Sequence, residues 1–300
     1  MKVLNEKENF LALEENFSNY ENSKYIIIQA PFEKTVSYGH GTAAGPQAII
    51  NASQYVEFYD EELDYQAAFV DGIATLETLE FNEIDTIEES FEKISNAVEN
   101  VLKDGKFPIV LGGEHSISSA VFKPINSKFE NLSILHFDAH SDLRDEYSGT
   151  KLSHACVMKR IFEINPKITQ IGIRAQCEEE ANLIKENKIN TFYMRGIRKN
   201  LYGKDWIDKV INSLSDNVFI SFDVDAFDPS VIPATGTPEP GGLFWDETLE
   251  ILEKVIKNKN IVAFDVVELA PVSENTISDF NTAKLIYKMI SYISFYKNQK

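Results

Sequence analysis

The chain has 300 residues, 43% of them hydrophobic, and its 29 Lys+Arg against 47 Asp+Glu give a formal charge of −18. A field of that sign repels nucleic acid and anionic membrane surfaces and favours the approach of small cations. Two cysteines, Cys156 and Cys177, are too few for a disulfide framework, and no apolar run is long enough to span a membrane.

The N-terminus, "MKVLNEKENF", lacks the basic-then-apolar pattern of a secretory leader, so a cytoplasmic protein is expected. No internal repeat, linker or low-complexity tract divides the sequence, and residues 1–300 read as one domain. Short strand-like runs recur: "KYIIIQA" (Lys24 to Ala30), "QAAFVDG" around Phe69, "FPIVLGG" (Phe107 to Gly113) and "NLSILHFDAH". "ITQIGIR" (Ile168 to Arg174), "NTFYMRG" around Tyr193, "NVFISFDVD" (Asn217 to Asp225) and "NIVAFDVVELA" (Asn260 to Ala270) complete the set. Several are apolar throughout, the pattern of strands covered on both faces.

Helix-period segments lie between many of these runs. From Asp85 to Lys103, apolar residues Ile87, Phe91, Ile94, Val98 and Val101 recur every three or four positions, and Gly105 follows as a left-handed cap. Asp246 to Lys257 and Ser278 to Tyr296 repeat the pattern, the latter with Ser278 or Asp279 available as N-cap. Alternating strands and helices predict an α/β fold with a mainly parallel sheet between helix layers. In such sheets, ligands bind at the carboxyl ends of the strands.

Four strand ends carry the notable polar residues. "LGGEHS" carries His115, "SFDVDAFDP" carries Asp223 and Asp225, and "VVELAP" carries Glu268. "HFDAHSD" places His136, Asp138, His140 and Asp142 at alternate positions, which a strand would aim one way. Burying that many acids and imidazoles together is costly without a compensating cation. One divalent ion would be overloaded by His115, Asp138, His140, Asp142, Asp223 and Asp225; two ions sharing bridging carboxylates would not. The oxygen-rich set without thiolate suits Mn²⁺, with Fe²⁺, Co²⁺ or Zn²⁺ as substitutes. Taken singly, any of these acids could instead cap a helix or orient a loop. His136, deeper in its strand, reads as a supporting or core histidine. His40, flanked by glycines in "SYGHGTAAGP", reads as loop structure.

"GGEHS", "FDAHSD" and "SFDVDAFDPSVIPATGTPEPGGL" resemble the signature blocks of the ureohydrolase family, which includes arginases and agmatinases; "TPEPGGL" looks closest to agmatinases. The resemblance runs from "GHGTAAGPQAII" to "VVELAP". It implies a three-layer α/β/α sandwich around a mostly parallel eight-stranded sheet, and two Mn²⁺ per chain. One ion would be held by His115 and Asp142 and the other by His140 and Asp225, with Asp138 and Asp223 bridging. A hydroxide shared by the ions would attack the guanidinium carbon to release urea and an amine. The family pattern further assigns Glu268 to orienting the guanidinium and His154 to shuttling protons, work that an ordinary imidazole pKa near 6.5 suits, and the bridging carboxylate of Asp138 could relay a proton to the leaving amine. Thr237 would support Glu268 or the substrate. Cys156, where many relatives have Gly, reads as a small packing residue. A homo-oligomer, trimer or hexamer, is also implied.

Arginases carry an Asn-containing segment after the metal motif and acids after "IGIR"; here Leu143 and Arg144, and Ala175, Gln176 and Cys177, stand instead. This favours agmatine, giving urea and putrescine for polyamine synthesis or nitrogen salvage. Asp145, Glu146 and Glu178 to Glu180 are candidate mouth acids for its far ammonium, although solvated loop charge is the commoner role for most such residues. N1-aminopropylagmatine, guanidinobutyrate (with Arg144 offsetting the acidic surround) and arginine are the competing guanidines. A deacetylase using one zinc, and a metal-binding protein without turnover, are the competing classes.

Overall fold

Eight strands form a single sheet: β1 (Tyr25–Ala30), β2 (Ile73–Thr75), β3 (Phe107–Gly112), β4 (Leu132–Phe137), β5 (Ile168–Ile171), β6 (Asn190–Phe192), β7 (Asn217–Asp223) and β8 (Asn260–Val267). In the computed structural model, which describes residues 1–299, their order is β2-β1-β3-β8-β7-β4-β5-β6. Every neighbouring pair is parallel.

Strand alternation divides the core in two. Tyr25 and Ile27 of β1, Ile109 and Leu111 of β3, and Leu135 and Phe137 of β4 face one cluster, with the helices Gly45–Ser53, Trp245–Asn258 and Ile277–Asn298 packed on it. Ile26 and Ile28, Val110, and Leu132 and Ile134 face the other, under the helices Ile87–Lys103, Ser118–Lys128 and Val157–Ile164. The result is the three-layer α/β/α arrangement expected from the apolar runs, now entirely parallel.

The helix Ile87–Lys103 follows the spacing of its apolar positions, with Phe91, Ile94, Val98 and Val101 buried. Thr86 and Glu89 form a reciprocal capping box at its start, and Gly105 turns the chain at φ +73° beyond its end. Three expectations are corrected. "QAAFVDG" is a short helix, Ala67–Asp71, and the strand is the next segment, Ile73–Thr75; Gly72, at φ +67°, separates them. Ala67 and Ala68 are both buried while Val70 is 57% exposed, so the burial does not alternate as a half-covered strand requires. "NTFYMRG" divides into β6 and the helix Met194–Arg198. The last helix begins at Ile277 with Thr276 at the cap position, so neither Ser278 nor Asp279 caps it. The Ser278 hydroxyl instead accepts a hydrogen bond from the Ala234 N–H at 3.1 Å, tying the helix to the loop after β7.

The four central strands, β3, β8, β7 and β4, are adjacent in the sheet. Their carboxyl ends therefore bring His115, Glu268, Asp223 with Asp225, and the Asp138 segment to one place. Among the described residues, no helix is long and apolar enough to cross a membrane.

Candidate active site

Strand geometry delivers the polar residues to the sheet edge, and the loops beyond then arrange them. β4 ends at Phe137, so Asp138, His140 and Asp142 lie past the strand rather than on one of its faces. His140 still runs alongside Ala175 as an isolated parallel bridge, but Asp142 takes a left-handed φ of 52°. Asp223 closes β7, and its Oδ1 accepts the Asp225 N–H at 2.8 Å, turning the chain so that both acids point inward. Glu268 also has positive φ, 65°, immediately after β8. Left-handed backbone at non-glycine residues costs about 1 kcal/mol or more and persists where surrounding structure imposes it.

The structure brings the six expected metal-binding residues together. His115 Nδ1 lies 3.1 Å from Asp138 Oδ2, 3.3 Å from Asp142 Oδ2 and 3.1 Å from Asp223 Oδ2. His140 Nδ1 lies 3.0 Å from Asp225 Oδ2 and 3.5 Å from Asp138 Oδ1. Asp138 thus stands between the two imidazoles, and nearly all of these side chains are buried.

The hydrogen-bond network shows what the cluster is built to receive. His115 Nε2 lies 3.0 Å from Ser221 Oγ, which itself donates to Asp265 Oδ1 at 2.9 Å. Ser221 therefore accepts from Nε2–H, and the lone pair of Nδ1 faces three carboxylates. Among the described residues, Nδ1 is buried without a hydrogen-bond partner. A cation answers both features, and two imidazoles with four carboxylates suit divalent ions of manganese type. Burial pulls the His115 pKa down, but Asp138, Asp142 and Asp223 outweigh it and hold it well above the ordinary value. Burial acts likewise on His140, and Asp225 and Asp138 still push it up to about 12. Burial and then the Asp138 charge raise Asp142 to about 7.

His136 Nε2 lies within reach of the same cluster, but its hydrogen bonds turn it to Asp138. The Gln170 amide donates to His136 Nδ1 at 3.0 Å and to the Ser141 carbonyl at 2.9 Å, while its oxygen accepts from Thr191 at 3.2 Å. The imidazole proton is thereby placed on Nε2, which donates to Asp138 Oδ2 at 2.8 Å. The sequence-based reading of His136 as a supporting histidine agrees with this network. His40 is a loop residue 3.3 Å from Glu33.

The cluster forms the floor of a cavity of about 250 Å³ that His154, Thr237, Glu268, Arg144 and Glu239 also line. Glu268 Oε1 accepts the His115 N–H at 2.6 Å, and Oε2 faces the cavity beside Gly236. Burial, then the charge of Glu114, raises the Glu268 pKa well above the usual carboxylate range. His154 Nδ1 faces the hydroxyls of Ser153 and Thr35 at 3.3 and 3.4 Å, leaving Nε2 for the cavity. Burial, followed by the charges of His115 and His140, lowers its pKa to about 4, away from the 6.5 that the sequence suggested. Thr237 lines the cavity but makes no hydrogen bond to Glu268 among the described residues. Cys156 is fully buried, as expected of a packing residue.

Sequence reasoning missed several supporting residues. Glu114 receives the Thr35 hydroxyl at 2.7 Å and the N–H groups of Lys34 and Thr35, while the Thr35 oxygen accepts the His154 N–H at 3.1 Å. This links the N-terminal loop to the end of β3 and to His154. Val36 to Gly39 also line the cavity, and the Gly39 N–H bonds the Gly236 carbonyl at 3.2 Å. A Cβ on Gly39 would sit 2.7 Å from that oxygen, so only glycine permits the approach. The available signal was polar residues inside apolar strands: Gln170 in "ITQIG", Ser221 in "FISFD" and Asp265 in "VAFDVV".

The Arginase family model matches residues 23–291. An N(1)-aminopropylagmatine ureohydrolase of Synechocystis sp. is 36% identical over 283 residues, 93% of this chain and 92% of that protein. An agmatinase of Pyrococcus horikoshii is 34% identical over 275 residues, 90% of this chain and 92% of that protein. Among solved structures, the agmatine ureohydrolase of Thermoplasma volcanium aligns with a TM-score of 0.86 at 31% identity, covering 97% of this chain and 96% of that one.

Proposed function

The chain belongs to the arginase family and is a metal-dependent ureohydrolase, and from that premise we propose that it hydrolyses an amine-tailed guanidine, agmatine first, to urea and the corresponding diamine. The observation that carries this reading is the pairing of a cation-demanding cluster with a buried carboxylate, Glu268, that keeps one oxygen for the substrate.

His115 and Asp142 would hold one Mn²⁺, His140 and Asp225 the other, and Asp138 and Asp223 would be shared. Bound there, the pair would supply a water of lowered pKa as the nucleophile that a delocalised guanidinium needs at neutral pH. Glu268 Oε2 orients the guanidinium, whose charge relieves the penalty of a buried carboxylate beside Glu114. Asp138, held in place by His136, passes a proton to the departing amine. His154 is neutral at pH 7, so its Nε2 first accepts a proton and then delivers it to solvent or product. Arg144 is stacked on Tyr147, guanidinium to ring centre 5.3 Å, and Tyr147 packs edgewise on His154 at 5.7 Å. Urea release by the Mn²⁺-loaded protein from agmatine, N1-aminopropylagmatine, arginine and guanidinobutyrate tests the proposal. Agmatine is expected to exceed arginine in kcat/KM; the reverse order overturns the substrate assignment, and one metal per chain overturns the binuclear one.

A second reading, N1-aminopropylagmatine as the preferred substrate, is favoured by the Synechocystis relative that carries that name. A higher kcat/KM for the longer guanidine selects it. The proposal includes a cytoplasmic homo-oligomer, trimer or hexamer, which sedimentation of the purified protein tests.

A further inference from the structure

The acids expected at the cavity mouth are not free to receive an ammonium there. Glu180 accepts the Leu143 and Cys177 N–H groups at 2.9 and 2.7 Å. Asp145 is paired with Lys151 and Arg160, at 3.0 and 2.8 Å. Glu178 and Glu179 line a separate surface depression with Lys159 and Glu186, and Glu146 is not among the residues of the cavity wall.

The acids that do line the cavity are Asp142, Glu180, Asp223, Asp225, Glu239 and Glu268. Three belong to the metal cluster, Glu268 faces the guanidinium position, and Glu180 is engaged by backbone. Glu239 remains. Among the described residues its carboxylate takes no hydrogen bond or ion pair, although its backbone is held firmly. Arg174 reaches the Glu239 carbonyl through Nε at 3.2 Å and Nη2 at 2.8 Å. The same guanidinium also binds the carbonyls of Gly172, Asp225, Ala226 and Phe227, so its donors are engaged by backbone and do not serve the Glu239 side chain. Pro238 and Pro240 flank Glu239 and restrict its backbone to extended conformations. Beyond them Asp228 receives the N–H groups of Gly241 and Gly242 at 2.8 and 3.2 Å. Glu239 is thus a half-buried carboxylate on a fixed backbone in the wall of the cavity that holds the cluster and Glu268.

We propose that Glu239 receives the tail amine of the guanidine substrate and thereby sets the enzyme's preference for amine-tailed over neutral-tailed guanidines. This rests on the guanidine hydrolysis proposed above. The metal cluster and Glu268 fix the reacting end; Glu239, on the loop after β7, fixes the far end. Arg144 lies on the loop after β4, where its charge disfavours an ammonium, so Glu239 decides where the tail goes.

Steady-state urea release by wild type and Glu239→Gln, with agmatine, N1-aminopropylagmatine and n-butylguanidine, tests the assignment. E239Q is expected to raise KM for the two amine-tailed guanidines by roughly tenfold, as loss of one charge-assisted contact does, leaving kcat and the KM for n-butylguanidine in place. Glu239→Asp restores part of the loss. Unchanged KM values for the amine-tailed guanidines in E239Q, or an equal rise with n-butylguanidine, overturn the subsite while the hydrolase reading stands. A wild type that releases urea from none of the three overturns the hydrolase reading, and the subsite with it.

Discussion

At the scale of single residues, burial sets the protonation of His154. Its folded pKa, about 4, lies below the ordinary 6.5, so between these values His154 binds fewer protons in the folded chain than in the unfolded one. The stability that His154 contributes is therefore complete above about pH 6.5 and declines as pH falls toward 4. In thermal melts with chelator present, His154→Asn is expected to lose less Tm than wild type across that window. A Tm difference that stays constant with pH counts against neutral, buried His154. His154 and the six cluster residues could be named from sequence because each sits in a short, chemically unusual motif. Glu239 could not be singled out among the acids, because its distinction is that its carboxylate makes no hydrogen bond or ion pair among the described residues, while Glu180 and Asp145 have theirs.

At the scale of elements, the apolar runs located the strands and the helical period located the long helices, whereas the ends followed local contacts. The last helix, Ile277–Asn298, shows both. Its apolar residues were legible, but its start depends on the turn at Val272–Asn275 and on the Ser278 bond to Ala234. It also buries Lys288, 3% exposed, whose Nζ lies 3.0 Å from Asp60 and 2.7 Å from Glu62. Asp60 is itself 2% exposed, so removing the cation leaves a buried charge unpaired. Lys288→Met is expected to destabilise the protein by about 3 kcal/mol in denaturant unfolding, with Asp60→Asn restoring part of the loss. A K288M loss under about 0.5 kcal/mol would show that the pair is not needed to hold this helix.

At the scale of the whole molecule, four central strands concentrate carboxylates that repel one another until positive charge joins them. Because His115 and His140 are held protonated at pH 7 by those acids, loading with Mn²⁺ must displace protons. Calorimetric titrations in buffers of different ionisation enthalpy are expected to show net proton release, with Tm rising as free Mn²⁺ exceeds its Kd. Binding without proton release would contradict the protonation described for the two imidazoles. The sequence by itself determined the fold class and the site's chemical inventory, because strand burial and metal-ligand chemistry are written in residue type and short-range spacing. The tertiary structure alone decided how "HFDAHSD" converges: the strand stops at Phe137, and the left-handed turn at Asp142 and the Gln170–His136 bond orient the rest. It also decided which acid of the cavity wall makes no hydrogen bond or ion pair among the described residues. Both depend on partners brought from distant parts of the chain, and no local pattern encodes which distant group will meet a given side chain.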